Sequence, residues 1–151
     1  MLYALLKTIH LLALIVWIGG MFFTLACLRP ALGVLDAPAR PRLMNAVMGR
    51  FFAIADAAIG LVLASGLGML WLAGLGWRMP HAWYAMIVIG TVMMGIFGHI
   101  RGVLVKRLQR GLQAQDAPAI GAALARIRSA VLLNLGLGIA VVVVMKLGTA
   151  A

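Results

Sequence analysis

The chain has 151 residues, of which 65% are apolar and 11% charged, and its formal net charge is +10. Soluble domains average about 45–50% apolar and about 25% charged residues, which excludes a water-soluble globular fold; the length allows one small bundle and no separate soluble domain. The single cysteine, Cys27, excludes an internal disulfide.

Four stretches are free or nearly free of charge: residues 8–28, 51–77, 79–100 and 129–145. A helix crosses a bilayer with roughly 20 apolar residues, about 17 to 25 being workable. The pattern predicts an all-α, integral membrane, four-helix up-down bundle. It forms one transmembrane domain with spans at about 4–28, 51–74, 81–104 and 129–147. The first stretch exceeds the apolar core of a signal peptide, about 7 to 15 residues, and reads as a retained helix. Within it, Thr24-Leu25-Ala26-Cys27 resembles a lipoprotein cleavage site only loosely.

The break at 29–50 holds Pro30, Pro38 and Pro41 and is expected to be broken at both ends, with one helical turn from Leu43 to Met48. The second stretch contains Asp56, the only acid inside any run, and Gly60, Ala64 and Gly68 four apart. The third begins near His81 and ends near His99, with Met79, Met86 and Met93 seven apart and Thr91 and Gly95 four apart. In the break at 101–128, Leu104, Leu108 and Leu112, then Ile120, Leu124 and Ile127, recur at helical spacing among basic residues. The third and fourth helices are therefore expected to run past the membrane surface as amphipathic ends, parted near Asp116 and Pro118. The fourth stretch carries Asn134, Gly136 and Ala140. Small residues at these spacings let membrane helices approach closely.

The charge has a direction. The two long breaks hold Arg29, Arg40, Arg42, Arg50, Arg101, Lys106, Arg107, Arg110, Arg126 and Arg128, ten of the thirteen bases; Lys7, Arg78 and Lys146 lie on the other side. The positive-inside rule puts the breaks in the cytoplasm and both termini in the periplasm of a bacterial inner membrane. No nucleic-acid-binding motif accompanies the charge, and anionic lipid is the partner it suits. Trp71, Trp77, Trp83 and Tyr84 fit an aromatic belt at the outer boundary, whereas Trp17 lies deeper and is a candidate to line a pocket.

Ionisable residues inside a membrane are costly and point to function. His10 lies roughly 10 Å below the outer surface, and His81 sits at the first turn of the third helix in the same half. Ligand pairs from different helices are how bundles hold cofactors, and neutral imidazole suits haem iron, copper and zinc alike. Methionine thioethers favour Cu(I) and are also ordinary gap-fillers. Asp56, His99 and Asn134 share a similar depth near the basic side, so Asp56 and His99 are expected to pair, with Asn134 joining them. His81 and His99 lie on one helix face roughly 27 Å apart and cannot share a metal ion. Ala85, Val88, Val92 and Gly95 between them form no proton wire. No nucleophile–base constellation and no phosphate loop are present.

Several segments resemble a known family. Lys7-Thr8-Ile9-His10, Trp17-Ile18-Gly19-Gly20-Met21-Phe22-Phe23 and Leu28-Arg29-Pro30 look like the first helix of the copper-resistance protein D family. The likeness continues through Arg50-Phe51-Phe52, His81 to Met86, Met93 to His99, and Ile127-Arg128 to Asn134-Leu135. The first-helix pattern is also similar to the HemJ-type protoporphyrinogen oxidases, four-helix proteins of this size that carry haem b. Their pattern has a lysine beside the histidine early in the third helix, whereas Ala82 follows His81 here. The resemblance implies a ligand role for His10.

Together these features favour an inner-membrane redox protein that holds one haem b near the periplasmic side through His10 and His81. Trp17 and Met86 would lie at the cofactor, and the protein would transfer electrons. The alternative is a copper-binding or copper-transporting protein using His10, His81 and outer methionines; a third is a non-catalytic accessory subunit. Compatible partners are the lipid bilayer, a quinone, a periplasmic redox or copper protein, and further copies of the chain.

Overall fold

The computed structural model describes residues 1–74 and 79–148. Trp77 and Arg78, placed above on the side of the termini, lie outside the described residues.

Four helical segments account for nearly all of the described chain: α1 (Leu2–Val34), α2 (Ala39–Ala73), α3 (His81–Ala114) and α4 (Ala117–Gly148). No strand occurs among the described residues. Each helix is long and apolar enough to cross a membrane, yet only 17 to 22% of its most apolar window is buried inside the protein. Side chains such as Leu12, Ile15 and Leu67 stand more than half exposed, so most of the apolar surface faces outward. A water-soluble monomer does not expose such a continuous apolar surface. The protein is a multi-pass membrane bundle.

The helices run longer than the expected spans, and the reason is local. At the start of α2, Pro41 sits in the first turn, where backbone N–H groups lack intrahelical partners anyway. The helix therefore begins at Ala39, and the single turn expected at Leu43–Met48 is part of α2. The hairpin before it is tied by Arg40, which donates from Nε to the carbonyl of Leu35 (2.8 Å) and from Nη2 to that of Gly33 (3.2 Å). The α3–α4 turn matches its expectation. Gln115 takes a left-handed conformation (φ 53°), and the Asp116 carboxylate accepts from the Ala119 N–H (3.0 Å), capping α4.

Two helices contain a π turn: Thr24–Leu28 in α1 and Ile100–Leu104 in α3. Both lie toward the basic end of the bundle, and such turns often sit at functional sites.

Helix α1 packs along α2 and α3 along α4, while α2 and α3 meet mainly through the basic end of α3. Without a hydrophobic driving force between helices in lipid, close contact holds them together. The glycines that allow it are not the expected series: an added Cβ would meet nothing at Gly60, Gly95 or Gly136, although at Gly68 it would meet Leu6. Other close approaches occur at Gly20 against Phe51, Gly138 against Ile18 and Met93, and Gly111 against Ile120. Across the bundle centre, Trp17 meets Phe97 edge-on (6.1 Å between centroids) and Phe97 meets Phe52 (5.4 Å). Each such pair adds about 0.5–1.5 kcal/mol beyond burial and joins α1, α3 and α2.

Candidate functional site

In the half of the bundle that carries the termini, α1 turns His10, Ala13, Trp17 and Met21 inward at helical spacing. His10 is buried, 8% exposed. Its Nδ1 lies 3.0 Å from the carbonyl oxygen of Val62 and 3.1 Å from Ser65 Oγ on α2. The Ser65 hydroxyl is itself committed as a donor to the carbonyl of Leu61. Both neighbours of Nδ1 therefore accept, so in the neutral ring the proton sits on Nδ1 and Nε2 keeps its lone pair. A ligating histidine is commonly oriented this way, by donating from the other ring nitrogen to a carbonyl. Gly66 makes the space: a Cβ there would stand 3.3 Å from His10 Cε1.

His10 lines a cavity of about 170 Å³ that all four helices enclose. Trp17 comes from α1, Met86, Met93 and Met94 from α3, and Gly138 from α4. Leu67 and Thr91 line it too and are exposed, so the cavity opens between α2 and α3. The Trp17 ring nitrogen is buried without a hydrogen-bond partner. The donor set is one imidazole and three thioethers, with no carboxylate. Among the described residues, no group of three or more His, Cys, Asp or Glu could hold a metal ion. Thioether ligands select Cu(I) over harder ions.

The structure brings His10, Trp17 and Met86 together but not His81. That residue is exposed at the first turn of α3, and its helix directs Met86, Gly90 and Met93 to the cavity instead. The two-imidazole haem site expected from the sequence is not assembled. The cavity, at about 170 Å³, is also smaller than the roughly 300–1,000 Å³ typical of pockets for drug-sized ligands. Met79 is not in the cavity wall; Met94 is, and the sequence reading missed it. The spacing of Met86, Gly90, Met93 and Met94 on one helical face was the available signal.

The expected pairing of Asp56 with His99 is not formed. Asp56 accepts instead from Arg101, in an ion pair whose side chains are 40% and 52% exposed, and His99 points outward. Arg101 lies in the π turn of α3, and its always-charged planar fork fits a carboxylate better than an imidazole does. Asn134 is buried apart from both. Its Nδ2 approaches Met21 Sδ (3.6 Å), and its Oδ1 has no partner.

These features define a class: a four-helix, multi-pass membrane protein with a soft-donor cavity in one half of the bundle. The family model described as Copper resistance protein D matches residues 45–147. The chain belongs to that family. The match takes in Met86, Met93 and Met94, while His10 and Trp17 precede it. Comparison with curated proteins and with solved structures finds no match.

Proposed function

We propose that this copper-resistance membrane protein takes Cu(I) as cargo in the cavity between His10 and the methionines of α3. The observation that carries the reading is the donor set: His10, Met86, Met93 and Met94 line one enclosure, and the contacts of His10 Nδ1 on α2 leave Nε2 as the ring nitrogen without a protein partner among the described residues. His10 would supply the strongest ligand and the thioethers would favour the reduced ion. With the ten bases of the long breaks in the cytoplasm, the cavity lies in the periplasmic half of a bacterial inner membrane. A periplasmic copper protein is then the partner from which the ion is exchanged.

The test is a competition for Cu(I) between the purified chain in detergent micelles, under reductant, and a chromogenic chelator. One Cu(I) per chain is expected, with binding lost in His10→Ala and weakened in Met86→Leu and Met93→Leu. Undiminished binding in all three variants overturns the site. A sharp Soret band that shifts on reduction means the cargo reading is wrong and haem is held elsewhere. For sidedness, a reporter fused after Ala151 should be active in the periplasm; activity confined to the cytoplasm reverses the orientation.

A further inference from the structure

A second recess lies at the basic end of the bundle and takes no part in the copper reading. It is a narrow crevice of about 40 Å³, bordered by both π turns through Thr24, Leu25 and Ile100. Its walls are apolar, with Phe51, Leu124 and Val131 among them. Its charged members are Arg29 from α1 and Arg128 from α4. The Arg29 guanidinium is partly withdrawn from solvent and close enough to Arg128 to be repelled by it. No acid compensates either of them: the one salt bridge among the described residues is Asp56–Arg101. Neither guanidinium donates to a protein acceptor within those residues.

Two like charges held together without a counterion describe a site for an anion. Each arginine stands where an apolar stretch meets a basic break, Leu28 to Arg29 and Arg128 to Ser129, at the level of lipid headgroups. A free inorganic anion would find two guanidiniums but nothing to do with the apolar walls. A phospholipid satisfies both, with its phosphate between the two guanidiniums and its acyl carbons against the apolar residues at the mouth of the crevice. Guanidinium matches phosphate oxygens in a two-point geometry, and basic pockets between membrane helices recognise anionic headgroups.

We propose that Arg29 and Arg128 form a binding site for the phosphate of one anionic phospholipid at the basic end of the bundle. The bound lipid bridges α1 and α4, relieves the repulsion between the two guanidiniums and adds to the stability of the bundle.

The experiment compares thermal unfolding of the full chain in detergent micelles after adding phosphatidylglycerol, phosphatidylcholine with the same acyl chains, or inorganic phosphate. Phosphatidylglycerol should raise the unfolding midpoint, and the other two should not. Arg29→Gln and Arg128→Gln should each bind phosphatidylglycerol about tenfold or more weakly, because each removes a charge-assisted contact. Arg107→Gln with Arg110→Gln, in the separate open hollow near Asp116, should keep the full rise. Should either crevice variant fail to fold, Arg29→Lys and Arg128→Lys keep the charge without the fork; native mass spectrometry should then find less retained lipid than in the parent. An equal rise in the crevice variants, or an equal loss in the Arg107/Arg110 control, overturns the site in favour of general attraction between bases and lipid. A rise with inorganic phosphate alone overturns the lipid assignment and leaves a free-anion site.

Discussion

His10 Nδ1 and the Val62 carbonyl oxygen stand 3.0 Å apart, joining α1 to α2 through a bond that only the ring can donate. The bond separates two roles of one side chain. Nδ1 holds the ring in place, and Nε2 is left without a protein partner among the described residues.

The two roles can be tested separately. In His10→Asn, the side-chain amide can still donate near the Nδ1 position but offers nothing in place of Nε2. Cu(I) binding should vanish while the unfolding midpoint stays close to the parent value, since a retained hydrogen bond saves about 1 kcal/mol. If the variant binds Cu(I) like the parent, Nε2 is not the ligand.

Ser65→Ala removes one of the two acceptors around Nδ1 and leaves Val62 in place. Outer partners of a metal ligand are typically worth 10–100-fold in affinity. Chelator competition should show Cu(I) held about tenfold more weakly, with a stability loss of about 1 kcal/mol. Unchanged affinity would mean that Val62 alone orients the ring.

Gly66→Ala places a methyl 3.3 Å from His10 Cε1, so the ring must give by a few tenths of an ångström. The neighbouring Nδ1 contacts oppose that shift, and overpacking of this kind costs about 1–3 kcal/mol. Gly60→Ala, whose Cβ would meet nothing, is the control and should be neutral or slightly stabilising. Equal effects at the two positions would show that the ring is not pressed against α2.

Asp56→Asn should be mild. The Asp56–Arg101 pair is roughly half exposed, and such pairs contribute about 0–1 kcal/mol, whereas breaking a buried pair costs about 3–5 kcal/mol. Unfolding measured on the variant in micelles distinguishes the two. A loss at the larger value would mean that the pair is sealed from solvent by lipid.

The membrane bundle was legible because length and apolarity leave few choices for a span. The turn at Asp116 was legible because a cap residue and a proline mark it locally. Other features required knowledge of which helix faces meet. The start of α2 was hidden because Pro41 reads as a breaker until its place in the first turn is known. Depth along a helix put Asp56 level with His99, but depth says nothing about azimuth, and the π turn in α3 carried Arg101 to the carboxylate instead. The same blindness paired His10 with His81. Both lie in the half that carries the termini, yet the helix face that reaches the cavity carries methionines.

The π turn at Thr24–Leu28 divides α1 into two registers, with His10 and Trp17 on one side of it and Arg29 on the other. One residue corresponds to about 100° of helical rotation. A π turn holds one residue more than the α-helical turn it replaces, so removing one residue from it would restore plain α-helix with both inner faces kept, and removing a second would swing Arg29 away from Arg128. The segment therefore acts as a spacer, whose length matters more than its letters. Away from Thr24 and Leu25, which border the crevice, substitutions there should be tolerated where deletions of two residues are not.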